Sequence, residues 1–135
     1  MTGLLVCAAV LAMAGAFGPL HRGHGGRLQV RAGDKALGEQ ELGAPLGERA
    51  TLVQFSSAFC QPCRATRRTL AEVAGLVPGV AHIEIDAEEH LDLVRALDIL
   101  RTPTVLVLDA GGRLVRRAAG QPRKADVIAA LGEAV

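Results

Sequence analysis

The sequence predicts an α/β domain in which a central mixed β-sheet is flanked by helices on both faces, preceded by one apolar helix of the transmembrane or signal type. Three observations support this fold class. Strand-like and helix-like segments follow one another in the order β-α-β-α-β-α-β-β-α, which favours a mixed sheet covered on both sides. Of the 135 residues, 50% are hydrophobic and 21% are charged, a globular composition with enough chain for one core. Residues 3–20 contain no charged side chain.

The chain divides into an apolar N-terminal segment at 1–21, a linker at 22–27 and the domain at 28–135. The uncharged run is 18 residues long, which is near the lower limit of the ~17–25 residues that span a bilayer. We therefore expect a single membrane anchor. A cleaved signal peptide and a peripheral apolar tail are the alternatives. Arg22 and Arg27 follow the run and no basic residue precedes it. This disfavours a signal peptide and, by the positive-inside rule, favours a domain facing the cytoplasm over an exported one.

The first half of the domain places a helix directly after a buried strand. Residues 28–31 alternate between apolar and polar and predict an edge strand. Residues 39–47 fit either a short helix or a loop, because a glycine and a proline interrupt them. Residues 51–57 are β-branched and apolar, as in a buried strand, and residues 63–77 repeat apolar side chains at helical spacing.

The second half continues the alternation and ends in a hairpin and a helix. A Pro-Gly stop precedes an alternating strand at 80–86. A helix at 90–99 would have Leu91, Val94, Ala96 and Leu97 as its apolar positions. The remaining elements are an apolar strand at 104–108, a glycine turn at 109–112, a return strand at 113–119 and an amphipathic helix at 124–135.

Two cysteines separated by two residues, in the run Cys60-Gln61-Pro62-Cys63, lie between the buried strand and the helix that follows it. In the first turn of a helix, the backbone N–H groups and the helix dipole favour negative charge. We therefore expect the pKa of Cys60 to lie below the ~8.5 of a free cysteine. Cysteines at this spacing can also close a small disulfide with little rearrangement, which suits reversible thiol–disulfide exchange.

Composition limits the other classes of function. The formal net charge is +1 with both signs interspersed, and Trp and Tyr are absent, so nucleic acid is not an expected partner. The third cysteine, Cys7, lies in the apolar run, so the cysteines do not form the framework of a disulfide-stapled secreted domain. No cofactor or metal is predicted. A zinc site needs about four ligands, so a single C-x-x-C would bind zinc only in a cluster shared by two chains.

Over residues 27–135 the chain resembles the thioredoxin family in several ordered motifs. The cysteine motif is similar to the family's C-x-P-C site after the central strand, and a T-P-T tripeptide followed by an apolar strand is similar to its cis-proline segment. The matching positions are Cys60-Gln61-Pro62-Cys63, Asp86 at the end of the third strand, Thr102-Pro103-Thr104, the turn Gly111-Gly112, and Gly120 before the last helix. A lone C-x-x-C is a weak match, whereas this ordered set is specific.

The resemblance implies a thiol–disulfide oxidoreductase of the protein-disulfide reductase type that contributes to redox homeostasis. Cys60 would be the exposed nucleophile and Cys63 the resolving thiol, and together they would form the redox disulfide. The substrate-binding residues would be Phe59, Gln61, Pro62, Thr102 and Pro103, the last of them after a cis peptide bond. Partners would be client proteins with disulfides and an electron-donating reductase, with the membrane as a further association.

One departure from the family pattern concerns proton transfer. The family usually has a buried Asp in the central strand that helps to move the proton of the resolving thiol, and Gln54 stands there. An amide cannot be a general base at neutral pH. Gln54 and His82, which stands where the family often has a nearby Lys, are therefore candidates for a proton relay, with water as the alternative. A histidine that is merely packed or solvated is the other interpretation.

Two further departures surround the motif. Phe59 stands where the family often has a Trp. The phenylalanine would retain the apolar collar around the motif but would lack the hydrogen-bond donor of the indole. Arg68 replaces a proline that often kinks the helix, and with Arg64 and Arg67 it predicts a basic patch that stabilises a thiolate or attracts acidic partners. A solvated helix face is the alternative. Gln54 also leaves open a catalytically weak redox-sensing or interaction module, and an exported domain would act as an extracytoplasmic disulfide exchanger.

Overall fold

A computed structural model describes the backbone of residues 1–21, 29–30 and 36–135, and the side chains of residues 1–13 and 36–135. The predicted linker at 22–27 and the outer residues of the predicted first strand lie outside the described residues. The elements are α1 (Thr2–His21), β1 (Gln29–Val30), α2 (Glu39–Leu42), β2 (Ala50–Ser56), α3 (Gln61–Leu76), β3 (Val80–Asp86), α4 (Leu91–Ala96), β4 (Thr104–Asp109), β5 (Leu114–Ala119) and α5 (Lys124–Ala134).

The described strands form one five-stranded sheet in the order β1-β5-β4-β2-β3. β2 pairs with β3 in parallel register, with Gln54 opposite Glu84, and pairs with β4 in the antiparallel direction. β5 continues the sheet antiparallel to β4, and β1 is antiparallel to β5. The predicted mixed sheet is therefore confirmed.

The sheet is covered on both faces, because successive side chains of a strand point to opposite sides. β2 is buried along its whole length. On one face, Leu52 of β2 lies in a cluster with α3 and α5 that includes Leu70, Val73, Val127 and Leu131. On the other face, Val53 and Phe55 lie in a cluster that includes Leu42 and Ile99, with Val94 and Leu97 packed against it. The predicted helices on both faces are confirmed.

Several element boundaries differ from the predicted ones for local reasons. The ambiguous segment contains the short helix α2, which ends at Gly43 in a left-handed conformation that glycine adopts without steric cost. α3 begins at Gln61, two residues before the predicted start, because Cys60 is its N-cap. α4 ends at Ala96, because Asp98 has a left-handed φ of 53° that interrupts the helix.

The predicted apolar face of α4 is wrong in part. Leu91 is 53% exposed, and Ala96 is also exposed. Ile99, which lies beyond the end of the helix, is buried in the core instead. The apolar periodicity thus continues through a segment that does not stay helical, and two of the four predicted apolar positions are exposed.

The side chains of α1 that the structure describes are exposed throughout residues 1–13. They include the large apolar residues Leu4, Leu5, Val6, Val10 and Leu11. Among the residues that the structure describes, no helix has both the length and the apolar character needed to cross a membrane. The membrane anchor at 1–21 stays a prediction.

Candidate active site

The two cysteines of the motif are joined as a disulfide. Their sulfur atoms are 2.15 Å apart and their Cα atoms 5.2 Å apart. Cys63 is 1% exposed, whereas Cys60 is partly exposed. Of the pair, Cys60 is therefore the sulfur that an incoming molecule can reach, and Cys63 lies behind it.

Cys60 owes its environment to its place at the start of α3. It is the N-cap residue, and its Sγ accepts a hydrogen bond from the backbone N–H of Cys63 at 3.2 Å. Pro62 lies in the first turn, where the missing N–H removes no intrahelical bond. An N-cap position favours negative charge, because the first backbone N–H groups of a helix have no carbonyl partner inside it. The local structure therefore favours a thiolate at Cys60 once the disulfide is reduced.

The loop before β4 lies beside the chain that leads into the motif. The peptide bond between Thr102 and Pro103 is cis, as predicted. The hydroxyl of Ser57, just after β2, is 2.6 Å from the hydroxyl of Thr102. The carbonyl of buried Pro103 accepts a hydrogen bond from the N–H of Gly120 at 2.7 Å. The first contact joins the loop before β4 to the chain that leads into the motif, and the second joins the same loop to the residue that follows β5.

Gln54 connects the middle of β2 to the resolving cysteine. Its side chain is fully buried, and Nε2 donates to the carbonyl oxygen of Cys63 at 2.8 Å and to Oγ of Ser56 at 2.9 Å. Oε1 lies 3.3 Å from Nε2 of His82 on β3. The structure thus brings together the two residues that the sequence analysis named as a possible relay.

Comparison with known proteins identifies the family. Residues 39–133 match the family model described as Thioredoxin. The chain belongs to the thioredoxin family.

Relatives support this assignment with modest identity. Thioredoxin H4-1 of Oryza sativa subsp. japonica is 30% identical over 86 residues, which cover 63% of this chain and 66% of that protein. Thioredoxin of Mycoplasma pneumoniae is 29% identical over 77 residues, covering 57% of this chain and 74% of that protein. The chain spans about two thirds of the first relative's length and 51% of another rice protein, Thioredoxin H2-1. The crystal structure of thioredoxin F from spinach chloroplast superposes with a TM-score of 0.57 at 21% identity, covering 65% of this chain and 78% of that one, which supports the fold alone.

Within the thioredoxin fold, Phe59 departs from the expected collar. The residue is 98% exposed, and its backbone has a left-handed φ of 59°, which is uncommon for a bulky residue. The ring is therefore too exposed to pack against the domain. Gln61 and Pro62 are also exposed, so the surface next to Cys60 includes the two exposed apolar side chains of Phe59 and Pro62.

His82 is a half-buried histidine on β3. Burial lowers its pKa below the usual value of 6.5, which the carboxylate of Glu84 opposes and the guanidinium of Arg67 reinforces. Because Nε2 of Gln54 is the donor in its two bonds, Oε1 faces His82 and can only accept. At this contact Nε2 of His82 is therefore the atom that can donate.

The predicted basic patch on α3 is only partly present. Arg67 forms a two-pronged ion pair with Glu84 of β3, with nitrogen–oxygen distances of 2.5 and 2.6 Å. Arg64 and Arg68 are exposed on the same helix. One of the three positive charges is thus balanced by the neighbouring strand.

Two side-chain contacts beside the site were missed by the sequence analysis. Ser56 accepts a hydrogen bond from Gln54, and Ser57 contacts Thr102. The available clue was the pair of hydroxyl residues that follows a run of buried positions at the end of β2. The local sequence pattern does not predict which residues these two serines contact.

Proposed function

We propose that this chain is a dithiol–disulfide oxidoreductase of the protein-disulfide reductase type, acting on disulfides of client proteins and contributing to redox homeostasis. One observation carries the proposal. A partly exposed cysteine caps helix α3, and a buried cysteine lies one turn behind it in a closed disulfide. This arrangement suits a nucleophile and a resolving thiol.

The reaction follows from the two sulfur positions. In the reduced protein, the Cys60 thiolate attacks one sulfur of the client disulfide and forms a mixed disulfide, while the other client sulfur leaves as a thiolate and takes a proton. The Cys63 thiol loses its proton and attacks Sγ of Cys60. The second client sulfur then leaves, and the Cys60–Cys63 disulfide remains. Two electrons pass to the client, so an electron-donating reductase has to return them.

We assign client binding to the exposed surface beside Cys60 and to the cis-proline loop. The residues proposed to contact the client are Phe59, Gln61, Pro62, Thr102 and Pro103. The exposure of Phe59 and the bond between Ser57 and Thr102, which holds the loop next to the motif, support this assignment. An exposed aromatic ring gives apolar contact area with little loss of conformational freedom.

Reduction of insulin by dithiothreitol tests the activity. The full chain should accelerate insulin precipitation, and Cys60→Ser should abolish the acceleration. Reduced Cys63→Ser, freed of dithiothreitol and then mixed with insulin, should instead accumulate a mixed disulfide, because neither the resolving thiol nor an added reductant is present to cleave it. Cys7→Ser is the matched control and should behave as wild type, since Cys7 lies on α1. Full activity of Cys60→Ser would reject the proposal.

A catalytically weak redox-sensing or interaction module is the second candidate, and Gln54 at the usual Asp position favours it. Such a module would close its own disulfide slowly and would not turn over. If Cys63→Ser traps no client while the wild-type disulfide still forms under oxidation, the second candidate replaces the first.

We further propose that α1 associates with a membrane and that the domain faces the cytoplasm. The exposed apolar side chains of α1 and the basic residues Arg22 and Arg27 after the run support this. Extracytoplasmic exchange is the alternative. In a Cys7→Ser background, intact cells treated with a membrane-impermeant reductant, which opens an exported Cys60–Cys63 disulfide, and then with a membrane-impermeant thiol reagent should leave Cys60 unlabelled. Labelling without lysis would support the exported protein.

A further inference from the structure

Gln54 is a buried polar side chain that the proposed reaction does not use. A buried amide is costly unless its hydrogen bonds are made. Here both the nitrogen and the oxygen of the amide have partners. Nε2 donates to Oγ of Ser56 and to the carbonyl of Cys63, and Oε1 lies 3.3 Å from Nε2 of His82. One of those partners is the backbone of the resolving cysteine itself.

The bond to Cys63 joins the first turn of α3 to the central strand. A backbone carbonyl oxygen has two lone pairs, so the Cys63 carbonyl can accept from Gln54 in addition to its helical partner. The donor lies on β2, which is buried along its length and paired on both sides. The carbonyl of Cys63 is therefore held by a rigid part of the sheet at 2.8 Å.

We infer that Gln54 is a positioning residue for the resolving step, which it serves by fixing the backbone of Cys63 behind Cys60 without exchanging a proton. The inference rests on the proposed function. In the mixed disulfide, Cys60 is attached to a client and no longer to Cys63, so the covalent link that holds the pair together is absent. The bond from Gln54 then keeps the thiol of Cys63 near the sulfur it attacks.

The same bonds exclude a relay through the amide. The Nε2 protons of Gln54 are directed to Ser56 and to the Cys63 carbonyl, and Oε1 accepts from His82. An amide neither gives nor takes a proton at neutral pH. The proton of the Cys63 thiol therefore does not pass through Gln54, and the pH dependence of resolution should not depend on His82.

The experiment separates the two sulfur steps in the full chain carrying Cys7→Ser. The reduced protein is mixed with dithiobis-nitrobenzoate. Attack by Cys60 releases the first nitrothiobenzoate ion, and resolution by Cys63 releases the second. The variants are Gln54→Met, which keeps the side-chain length and removes the amide, Ser56→Ala, which removes the other acceptor, and His82→Gln, which keeps a donor opposite Oε1.

Gln54→Met should slow the second release on the order of tenfold or more, because small displacements of a reacting group reduce rates strongly. The first release should stay within about twofold of the parent, since the Cys60 cap at α3 is intact. Ser56→Ala should change neither phase by more than about twofold, because the bond to Cys63 remains. His82→Gln should leave the pH profile of the second release unchanged.

Three results would overturn the inference. Equal slowing of both releases in Gln54→Met would show a general structural role. An unchanged second release would show that the bond is dispensable, and a shifted pH profile in His82→Gln would show that a proton does pass through this pair. If the parent protein itself released no second ion, the proposed function would fail as well, so the two failures are distinguishable.

A measurement on the unsubstituted side chain covers the case in which Gln54→Met does not fold. The side-chain amide protons of Gln54 should be protected from exchange with solvent in both the oxidised and the reduced protein, because the bond to Cys63 has to persist without the disulfide. Rapid exchange in the reduced protein would overturn the inference.

Discussion

Cys60 is partly exposed and caps α3, and this predicts that its thiol ionises at a lower pH than that of a free cysteine. Its Sγ accepts from the N–H of Cys63 at the start of α3, where negative charge is favoured. In the reduced Cys7→Ser protein, the rate of alkylation by iodoacetamide at Cys60 should therefore reach half its maximum below pH ~8.5, the value for a free cysteine. Peptide mapping assigns the modified residue. A midpoint at or above that of free cysteine would contradict the prediction.

His82 makes stability depend on pH. Burial lowers its folded-state pKa below 6.5, so between the two values the unfolded chain binds more protons than the folded one. The protonated ring destabilises the folded state, and stability should fall as the pH decreases below about 6.5. When urea unfolding is measured from pH 8 to pH 5, the free energy of unfolding should fall less in His82→Gln than in wild type.

The matched control for this titration is His90→Gln, since His90 is exposed. This variant should retain the wild-type dependence on pH. Parallel curves for His82→Gln and wild type would show that His82 contributes nothing to the acid loss.

At individual positions, the chemistry could be predicted and the contacts could not. The spacing of Cys60 and Cys63 and the match at Pro103 were readable in the sequence, because each depends on neighbouring residues. The contact between Ser57 and Thr102 joins positions 45 residues apart, so no local pattern contains it. Gln54 was noticed as a departure, but its bond to the Cys63 carbonyl depends on how α3 packs on β2.

At the scale of elements, α3 offers a test of the packing that supports the motif. Leu70 is fully buried between the helix and the sheet, whereas Leu76 on the same helix is 63% exposed. Leu70→Ala should lower the free energy of unfolding by about 2–5 kcal/mol, because it removes buried methyl groups and leaves a cavity. Leu76→Ala should change it by about 0.5 kcal/mol or less. Chemical denaturation measures both, and equal losses would contradict the packing described.

Element types were predictable, whereas their ends depended on single backbone conformations. The strand and helix patterns of β2, β3 and α3 placed those elements within two residues. α4 was predicted too long because its apolar spacing continues past Asp98, where a left-handed backbone interrupts the helix. Aspartate tolerates this conformation better than most residues, but its presence alone does not require it.

For the whole molecule, the mixed sheet with helices on both faces followed from the order of elements, but the neighbours of each strand did not. The short strand β1 lies beside β5, the last strand in the sequence. Such a pairing joins distant parts of the chain. The two residues of β1 form too short a pattern to specify which strand they pair with. The apolar character of α1 was likewise predicted. The partner that its apolar side chains contact could not be predicted, because it does not follow from the pattern of the helix itself.

The exposed apolar side chains of α1 lead to the last prediction, that the full chain binds phosphatidylcholine vesicles through this helix. Replacing Leu5 and Leu11 by glutamate should reduce the bound fraction about tenfold or more, since each leucine contributes roughly 1.5–3 kcal/mol when buried in an apolar phase. The matched control places two glutamates at Leu76 and Ile128, which are exposed on α3 and α5. That control should float with the vesicles like wild type, and insulin reduction should be unchanged in both variants. Equal loss of flotation in the two variants would assign the effect to charge and remove α1 as the binding element.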